Sequence, residues 1–525
     1  MKKANKLVSI VMTGAVAFGA FTACGKGGGA QGELDVLVYD AGYGYAWVES
    51  MGYAFEELTG TKVTVTPTYD QDSENALLQD DNHSADLIFF VQDCSMMAEE
   101  QHFLDLTDSV YNKTPYGEDD RPTIKELAPY ANALNVGAEG KYYAVSYAAS
   151  KTALLYNDTT LSALFPTGYT LPKTTGEWVA MLDDIKTNHA DEAYGLVSAG
   201  NYMEYLVDTW WAQYDGVETY FNYWKGIDSK TGQFCATDPT MTKSQGRLEA
   251  LQMLESVFTH DTGYCHAQTD VFWGDGDYFK YGQSTFVGQP YGGDLKKIAF
   301  YPCGDWFENE MRSKIGNQNI KMMKTPVLSS IVETFTDATD MTMSDAKLSE
   351  IIGKIDENVA YSQAEYGCAQ STYDIVKAAR SIVSTNGEQM QVVAPITTPD
   401  GDLVADFLRF MVSTEGQRIY AEEMKGLSMG YGYDARQDDE VTVSAFAQSS
   451  LDCFENADTT LVYRDLSQVL TYRGGLEWFV SENTATKYTQ AIYLKQETAQ
   501  EVWDYTYTKM KREWVSGYLQ NAGLN

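Results

Sequence analysis

Positive charge is in short supply in this chain: 38 Lys and Arg stand against 74 Asp and Glu in 525 residues, a formal net charge of −36. A field of that sign repels polyphosphates and anionic lipid surfaces, which argues against nucleic acid as a partner and favours neutral or cationic ligands. Histidine is scarce as well, with five residues scattered at 83, 102, 189, 260 and 266. His260, Cys265 and His266 lie close in sequence, but as loop neighbours rather than at metal-ligand spacing. None of the seven cysteines falls into the tight pairs of a zinc ribbon or redox motif. Nucleophile elbow, phosphate loop and zinc-helix motifs are all missing, so the residues single out no enzyme, no cofactor and no metal. Asp70, Asp72 and Glu74 with Asp81 imitate a calcium loop, yet Asn75 occupies the position where such a loop turns on glycine.

Long apolar runs are missing too, with one exception at the amino terminus. Lys2, Lys3 and Lys6 precede the run Leu7 to Phe21, a signal-peptide pattern over residues 1–23 that is short for a membrane span. Phe21-Thr22-Ala23-Cys24 is similar to a lipobox, in which the cysteine is lipidated and becomes the first mature residue. Plain secretory cleavage near Ala23 is the alternative, and either route leaves the protein outside the cytoplasm. Residues 24–32 then form a glycine-rich flexible tether. Without residues 1–23 the chain has 502 residues, a net charge of −39, and length for roughly two to four domains. Beyond Cys24 there are six cysteines, at 94, 235, 265, 303, 368 and 453, and their pairing is left open.

What the chain does contain is an alternation of strand and helix patterns. An apolar strand from Leu34 to Tyr39, a helix from about Trp47 to Leu58, a strand from Lys62 to Tyr69, a polar helical stretch from Ser73 to Asp81 and a strand from Ala85 to Val91 make a βαβαβ start. The unbroken Leu87-Ile88-Phe89-Phe90-Val91 run suits burial on both faces of a parallel sheet. Ligands in such sheets sit at the carboxyl ends of strands, which selects the loops Asp40 to Ala46 and Gln92 to Ser95. Gly140 to Asp158 then reads as two extended runs, Tyr142 to Tyr147 and Thr152 to Tyr156, joined by Ala148, Ala149 and Ser150. A crossover between two bodies and a β-hairpin both fit that pattern; the helix-rich second body that follows favours the crossover. In that body Thr174 and Glu177 have capping-box spacing, and Met203 to Tyr214 and Gln245 to Phe258 read as helices. The extended run Met322 to Leu328 is expected to return to the first body.

Several stretches, in order, carry a family resemblance: Phe103-Leu104-Asp105-Leu106-Thr107; Gly140-Lys141-Tyr142-Tyr143-Ala144-Val145 with Leu155-Tyr156-Asn157; Pro172-Lys173-Thr174 before Glu177-Trp178; Phe279 with Gly282-Gln283-Ser284-Thr285-Phe286; and Phe407-Leu408-Arg409-Phe410 with Ser413-Thr414-Glu415-Gly416-Gln417. The chain resembles the extracellular solute-binding proteins of ABC transporters, in particular the carbohydrate-binding (family 1) type. Ser146 departs from the family's usual proline, Phe286 from its usual methionine, and 329–396 looks longer than typical. The resemblance implies an α/β, two-lobe, periplasmic-binding-protein-like (type II) fold with the ligand cleft at the hinge. Lobe 1 would hold 33–148 plus about 271–328, and lobe 2 about 149–270 plus 329–525. It implies a monomeric lipoprotein, anchored through Cys24 to the extracytoplasmic face of the cell membrane, that passes a carbohydrate to ABC permease subunits.

A sugar offers C–H faces and a rim of hydroxyls, so its site needs aromatic platforms with carboxylates or amides beside them. The strand-end loops supply Tyr43, Tyr45 and Trp47, then Gln92 and Asp93; Trp47 opens a helix and serves core or cleft equally well. Tyr147 comes from the crossover, and at most one of Trp210 and Trp211 can face a ligand, because neighbours on a helix point about 100° apart. Tyr291, in the glycine-rich loop Gly288 to Asp294, and Tyr431, between Gly430 and Gly432, complete the candidates. A solvent-exposed turn is the other reading for Tyr431. A receptor of the same fold for a peptide, polyamine or metal chelate, and a secreted carbohydrate-processing enzyme, are the competing functions.

Overall fold

The computed structural model describes residues 32–525 except 70–77, 79–83, 138, 199–201, 270–277, 290–291, 455–456 and 484–486. The segments read from sequence as signal peptide, lipidated Cys24 and tether, the acidic residues of the calcium-like loop, and Tyr291 lie outside the described residues.

Eleven of the described strands build two mixed sheets: β1 Glu33–Tyr39, β2 Lys62–Thr68, β3 Leu87–Val91, β4 Ala144–Ser146, β5 Thr152–Asn157, β6 Ala193–Leu196, β7 Lys297–Gly304, β8 Ile320–Met323, β9 Ile382–Ser384, β10 Met390–Val393 and β11 Thr460–Val462. The first sheet has the order β2-β1-β3-β10-β4 and the second β11-β9-β5-β7-β6, with β8 also paired to β5. β1 runs parallel to β2 and β3, while β10 runs antiparallel to β3 and β4. Leu34, Val36 and Val38 of β1 alternate inward and are buried, and β3 is buried along Leu87–Phe90, as expected for an inner strand covered on both faces.

Gly140–Asp158 spans both sheets: β4 closes the first, β5 is central to the second, and residues 147–151 cross between them. A second crossing, 385–389, links β9 to β10 in the opposite direction. The two crossings are laced together. Ser146 Oγ donates to Gly387 O at 2.8 Å, Ser150 Oγ to Asn386 Oδ1 at 2.9 Å, and Thr385 Oγ1 to Ser150 O. Serine at 146, where the sequence resemblance leads one to expect proline, thus supplies a buried bond between the crossings. Tyr130 packs beneath them with its hydroxyl 2.9 Å from Thr385 Oγ1; a Cβ on Gly387 would stand 2.4 Å from that hydroxyl, so this crossing needs glycine.

One expectation is overturned. Residues 297–304 and 320–323, assigned from sequence to the first lobe with the rest of 271–328, pair with β5 and β6 in the second sheet. In exchange the first sheet recruits β10 and the helices Gly401–Met411 and Thr414–Glu423, whose Phe407, Phe410 and Tyr420 pack on Phe55 and Trp47. Short antiparallel strands have no periodicity that names their sheet; pairing is decided by long-range burial. Residues 327–379 carry a small helical core of their own, built on Ile331, Phe335, Leu348, Ile352, Tyr366 and Val376. This accounts for the added length the sequence shows after residue 328.

Candidate ligand site between the lobes

The carboxyl ends of β1 and β3 and the end of β4 that leads into the crossing face the second sheet. The second sheet presents to them the carboxyl ends of β6, β7, β9 and β11. Open α/β sheets bind ligands at such ends. In this structure the two sets of loops touch. Tyr43 donates its hydroxyl to Asp305 Oδ1 at 2.5 Å, and Asp305 Oδ2 accepts the Lys151 N–H of the crossing at 3.2 Å. Asn309 Nδ2 donates to Gly42 O at 2.7 Å, and Glu310 Oε1 accepts from Gly42 N at 3.2 Å. Arg473 and Glu99 form an ion pair across the same junction. Burial, followed by the charge of Asp305, pushes the Tyr43 phenol far above its ordinary pKa, so it stays a neutral donor.

An aromatic wall lines the second lobe's side. Tyr202 and Tyr205 stack with ring centroids 5.8 Å apart, and Trp306 meets both edge-on, at 6.1 and 6.2 Å. Trp306 also meets Tyr43 edge-on at 6.5 Å, which continues the wall into the first lobe. Gly304 makes the wall possible: a Cβ there would stand 1.8 Å from the Trp306 ring.

Beside this wall lies a cavity of about 180 Å³ bounded by Glu204, Tyr205, Asp208, Asn386, Glu388 and Arg464, among others. Arg464 Nη2 bonds Glu204 Oε2 at 2.6 Å and its Nε stands 3.7 Å from Asp208 Oδ2, while the guanidinium lies 3.8 Å from the Trp478 ring centroid. Burial opposes the Arg464 charge, but Glu204 and Asp208 outweigh it and hold the guanidinium protonated. Burial raises Glu204 and lifts Asp208 to about 7, each against the pull of Arg464. Glu388, on the second crossing, is 3% exposed, and burial lifts it to about 8. Its Oε2 has no hydrogen-bond partner among the described residues. Around this cavity the chain can offer aromatic faces, an amide, carboxyls and one guanidinium.

The structure sorts the sequence candidates into three groups. Tyr43, Tyr147, Gln92 and Asp93 lie at the junction: Tyr147 donates to Phe90 O at 3.0 Å, Gln92 N–H bonds Gln389 O of the crossing at 3.0 Å, and Asp93 is half-buried, raised by burial and near Asp465 of the second lobe. Tyr43 and Tyr147 are themselves buried, as is Trp306 of the wall, so none of the three offers a free face while the lobes touch; Tyr202 and Tyr205 are half-buried. Tyr45 is half-buried at the start of the helix Ala46–Thr59. Trp47, Trp210, Trp211 and Tyr431 are corrections. Trp47 is enclosed by Phe89, Tyr147 and Tyr420; Trp210 and Trp211 are both fully buried in the second lobe's core, bonded to Pro326 O and Asp215; Tyr431 is fully buried and donates to Ser146 O at 2.7 Å. Both faces of the helix Met203–Asp215 are covered, so the 100° separation that was to expose one tryptophan exposes neither.

Sequence reasoning missed Tyr202, Tyr205, Trp306, Asn386, Glu388 and Arg464. The last three follow strands of three residues each, too short to announce their ends. A strand end at Gly304 was the one available signal, and it pointed to Trp306.

A family of bacterial extracellular solute-binding proteins matches residues 50–253. Comparison with curated protein sequences finds no match. Among solved structures, the MsmE binding protein of Bacillus subtilis in an open conformation aligns with a TM-score of 0.53 and 13% identity over 91% of this chain and 97% of its own. The solute-binding protein RafE in complex with raffinose aligns with a TM-score of 0.54 and 15% identity over 91% of this chain and 99% of its own. At such identities the likeness speaks for fold, and it bears out the two-lobe α/β architecture expected from the sequence. By sequence over residues 50–253 and by fold over nine-tenths of its length, the chain is similar to the bacterial extracellular solute-binding proteins.

Proposed function

We propose that this protein captures a carbohydrate, a sugar or oligosaccharide, between its lobes outside the cell and delivers it to an ABC importer, held at the membrane by lipid on Cys24. The observation that carries the reading is the Tyr202-Tyr205-Trp306 wall set beside a cavity lined by carboxyls and an amide, at the strand ends where two laced crossings join the lobes. Stacking faces with adjacent hydrogen-bonding groups are what a pyranose demands. The fold likeness to a raffinose-bound protein supports the same class of solute. Ligand that bridges both lobes stabilises their contact, and a permease that recognises the contacting state reads occupancy.

The test is a thermal-shift panel of mono- and oligosaccharides, polyamines and peptides on the mature protein. A matching sugar at 100 times its Kd adds about 2.7 kcal/mol of stability. A shift with peptides or polyamines and with no sugar refutes the carbohydrate reading, and release of reducing ends over time refutes the assignment as a receptor.

A further inference from the structure

We propose that the cavity at Glu388 receives the protonated amine of an amino sugar, so that the solute is a cationic rather than a neutral saccharide; this rests on the carbohydrate reading above.

Among the described residues that line this cavity are three carboxyls, Glu204, Asp208 and Glu388, and one cation, Arg464. Arg464 is committed: it bonds Glu204 and stands beside Asp208, which also accepts the Tyr220 hydroxyl at 3.1 Å. Glu388 feels the Arg464 charge but is bonded to no cation among the described residues. The carboxyl is held by its own backbone N–H and a 3.5 Å contact from the Gln389 amide to Oε1, while its Oε2 has no partner among the described residues, although the side chain is almost wholly buried. A buried carboxyl oxygen without a partner is costly to keep, so it marks a place where a donor is to be supplied from outside the chain.

The volume limits what can arrive. A cavity of about 180 Å³ is smaller than the ~300–1,000 Å³ of a complete small-molecule site, so it suits one end of a ligand whose ring lies on the aromatic wall next to it. Tyr205 belongs to both wall and cavity, so a sugar ring on the wall can direct a ring substituent to Glu388. An ammonium group makes better use of that position than a hydroxyl, because it donates to the unpartnered oxygen and also supplies the positive charge that lets Glu388 ionise.

The remaining neighbours act in the same direction. Asp208, Tyr205, Tyr220 and Tyr463 surround Glu388 alongside Arg464, and burial keeps all three phenols neutral. Asp93 and Asp465 add negative charge elsewhere along the junction. Below about pH 8 the empty site holds Glu388 as a carboxylic acid. Entry of R–NH3+ transfers the Glu388 proton to solvent and leaves a carboxylate–ammonium pair, so charge balances and one proton is released per ligand bound.

The experiment compares glucosamine trisaccharide, its N-acetylated counterpart and raffinose by titration calorimetry at pH 6, in two buffers of different ionisation enthalpy. The amine trisaccharide should bind at least tenfold more tightly than the acetylated one and release close to one proton, and Glu388→Gln should reduce the preference below threefold. The wild-type comparison needs no variant, and circular dichroism shows whether Glu388→Gln is folded. Equal affinity for the amine and acetylated forms, or a preference that survives Glu388→Gln, overturns this inference and leaves the carbohydrate receptor standing. Failure of every saccharide to bind overturns both.

Discussion

Tyr43→Phe removes one hydroxyl and nothing else, which makes it the cleanest probe of how the lobes are held together. That hydroxyl bonds Asp305 at 2.5 Å across the junction, in a buried setting, and Asp305 also accepts the Lys151 N–H of the crossing. A hydrogen bond to a charged group contributes roughly 1.5–3 kcal/mol, and when its partners sit on different lobes the loss falls on lobe contact rather than on either lobe's core. The ratio of touching to separated lobes should therefore fall about 10- to 150-fold in the unliganded protein. Distance distributions between spin labels on the exposed faces of Glu57, in the first lobe, and Lys230, in the second, measure this directly. We expect a longer distance to gain population in Tyr43→Phe and saturating ligand to restore the shorter one. An unchanged distribution with a melting temperature lowered as in a core substitution would refute the reasoning, by showing that the bond supports the lobe interior.

Gly304→Ala drives a Cβ to within 1.8 Å of the Trp306 ring, so the ring must move; overpacking of this kind costs about 1–3 kcal/mol, read as a lowered denaturation midpoint together with weakened ligand binding. Arg464→Met leaves Glu204 and Asp208, 5% and 3% exposed, without their cation; the cost is about 3 kcal/mol, the low end for a broken buried pair because the Arg464 side chain is 26% exposed, and urea unfolding checks it. Glu388 has a pKa raised from 4.5 to about 8 by burial, so the stability it contributes is full below pH 4.5 and is lost as pH rises through 8; Glu388→Gln should flatten the melting temperature against pH over that window, and an unchanged slope would show that Glu388 is not the titrating group.

Much of the architecture is legible in local pattern. The apolar run of β3, the alternation of β1 and the helix Gln245–Phe258 follow directly from residue order, because a buried inner strand and an amphipathic helix each impose a period on their own residues. Thr174 caps its helix by accepting the Glu177 N–H, as the spacing predicts. The site is less legible. Tyr43 and Asp93 were found because they follow long strands, whereas Glu388 and Arg464 follow strands of three residues and have no periodic signal in front of them. Trp210 and Trp211 show the opposite failure: a tryptophan on a helix reads as a platform or as core, and only the packing around the helix Met203–Asp215 decides between them.

By itself, then, the sequence determined the two-body α/β plan, the crossover at Gly140–Asp158 and the acidic character that disfavours anionic partners, since each depends on local periodicity, on small residues at a bend or on a plain sum of charge. Only the tertiary structure decided that β7 and β8 belong to the second lobe and β10 to the first, that Ser146 ties the crossings together, and that Glu388 sits buried with an oxygen unpartnered among the described residues. Those depend on which distant segments exclude water from one another, a property of the packed chain that no stretch of residues carries alone.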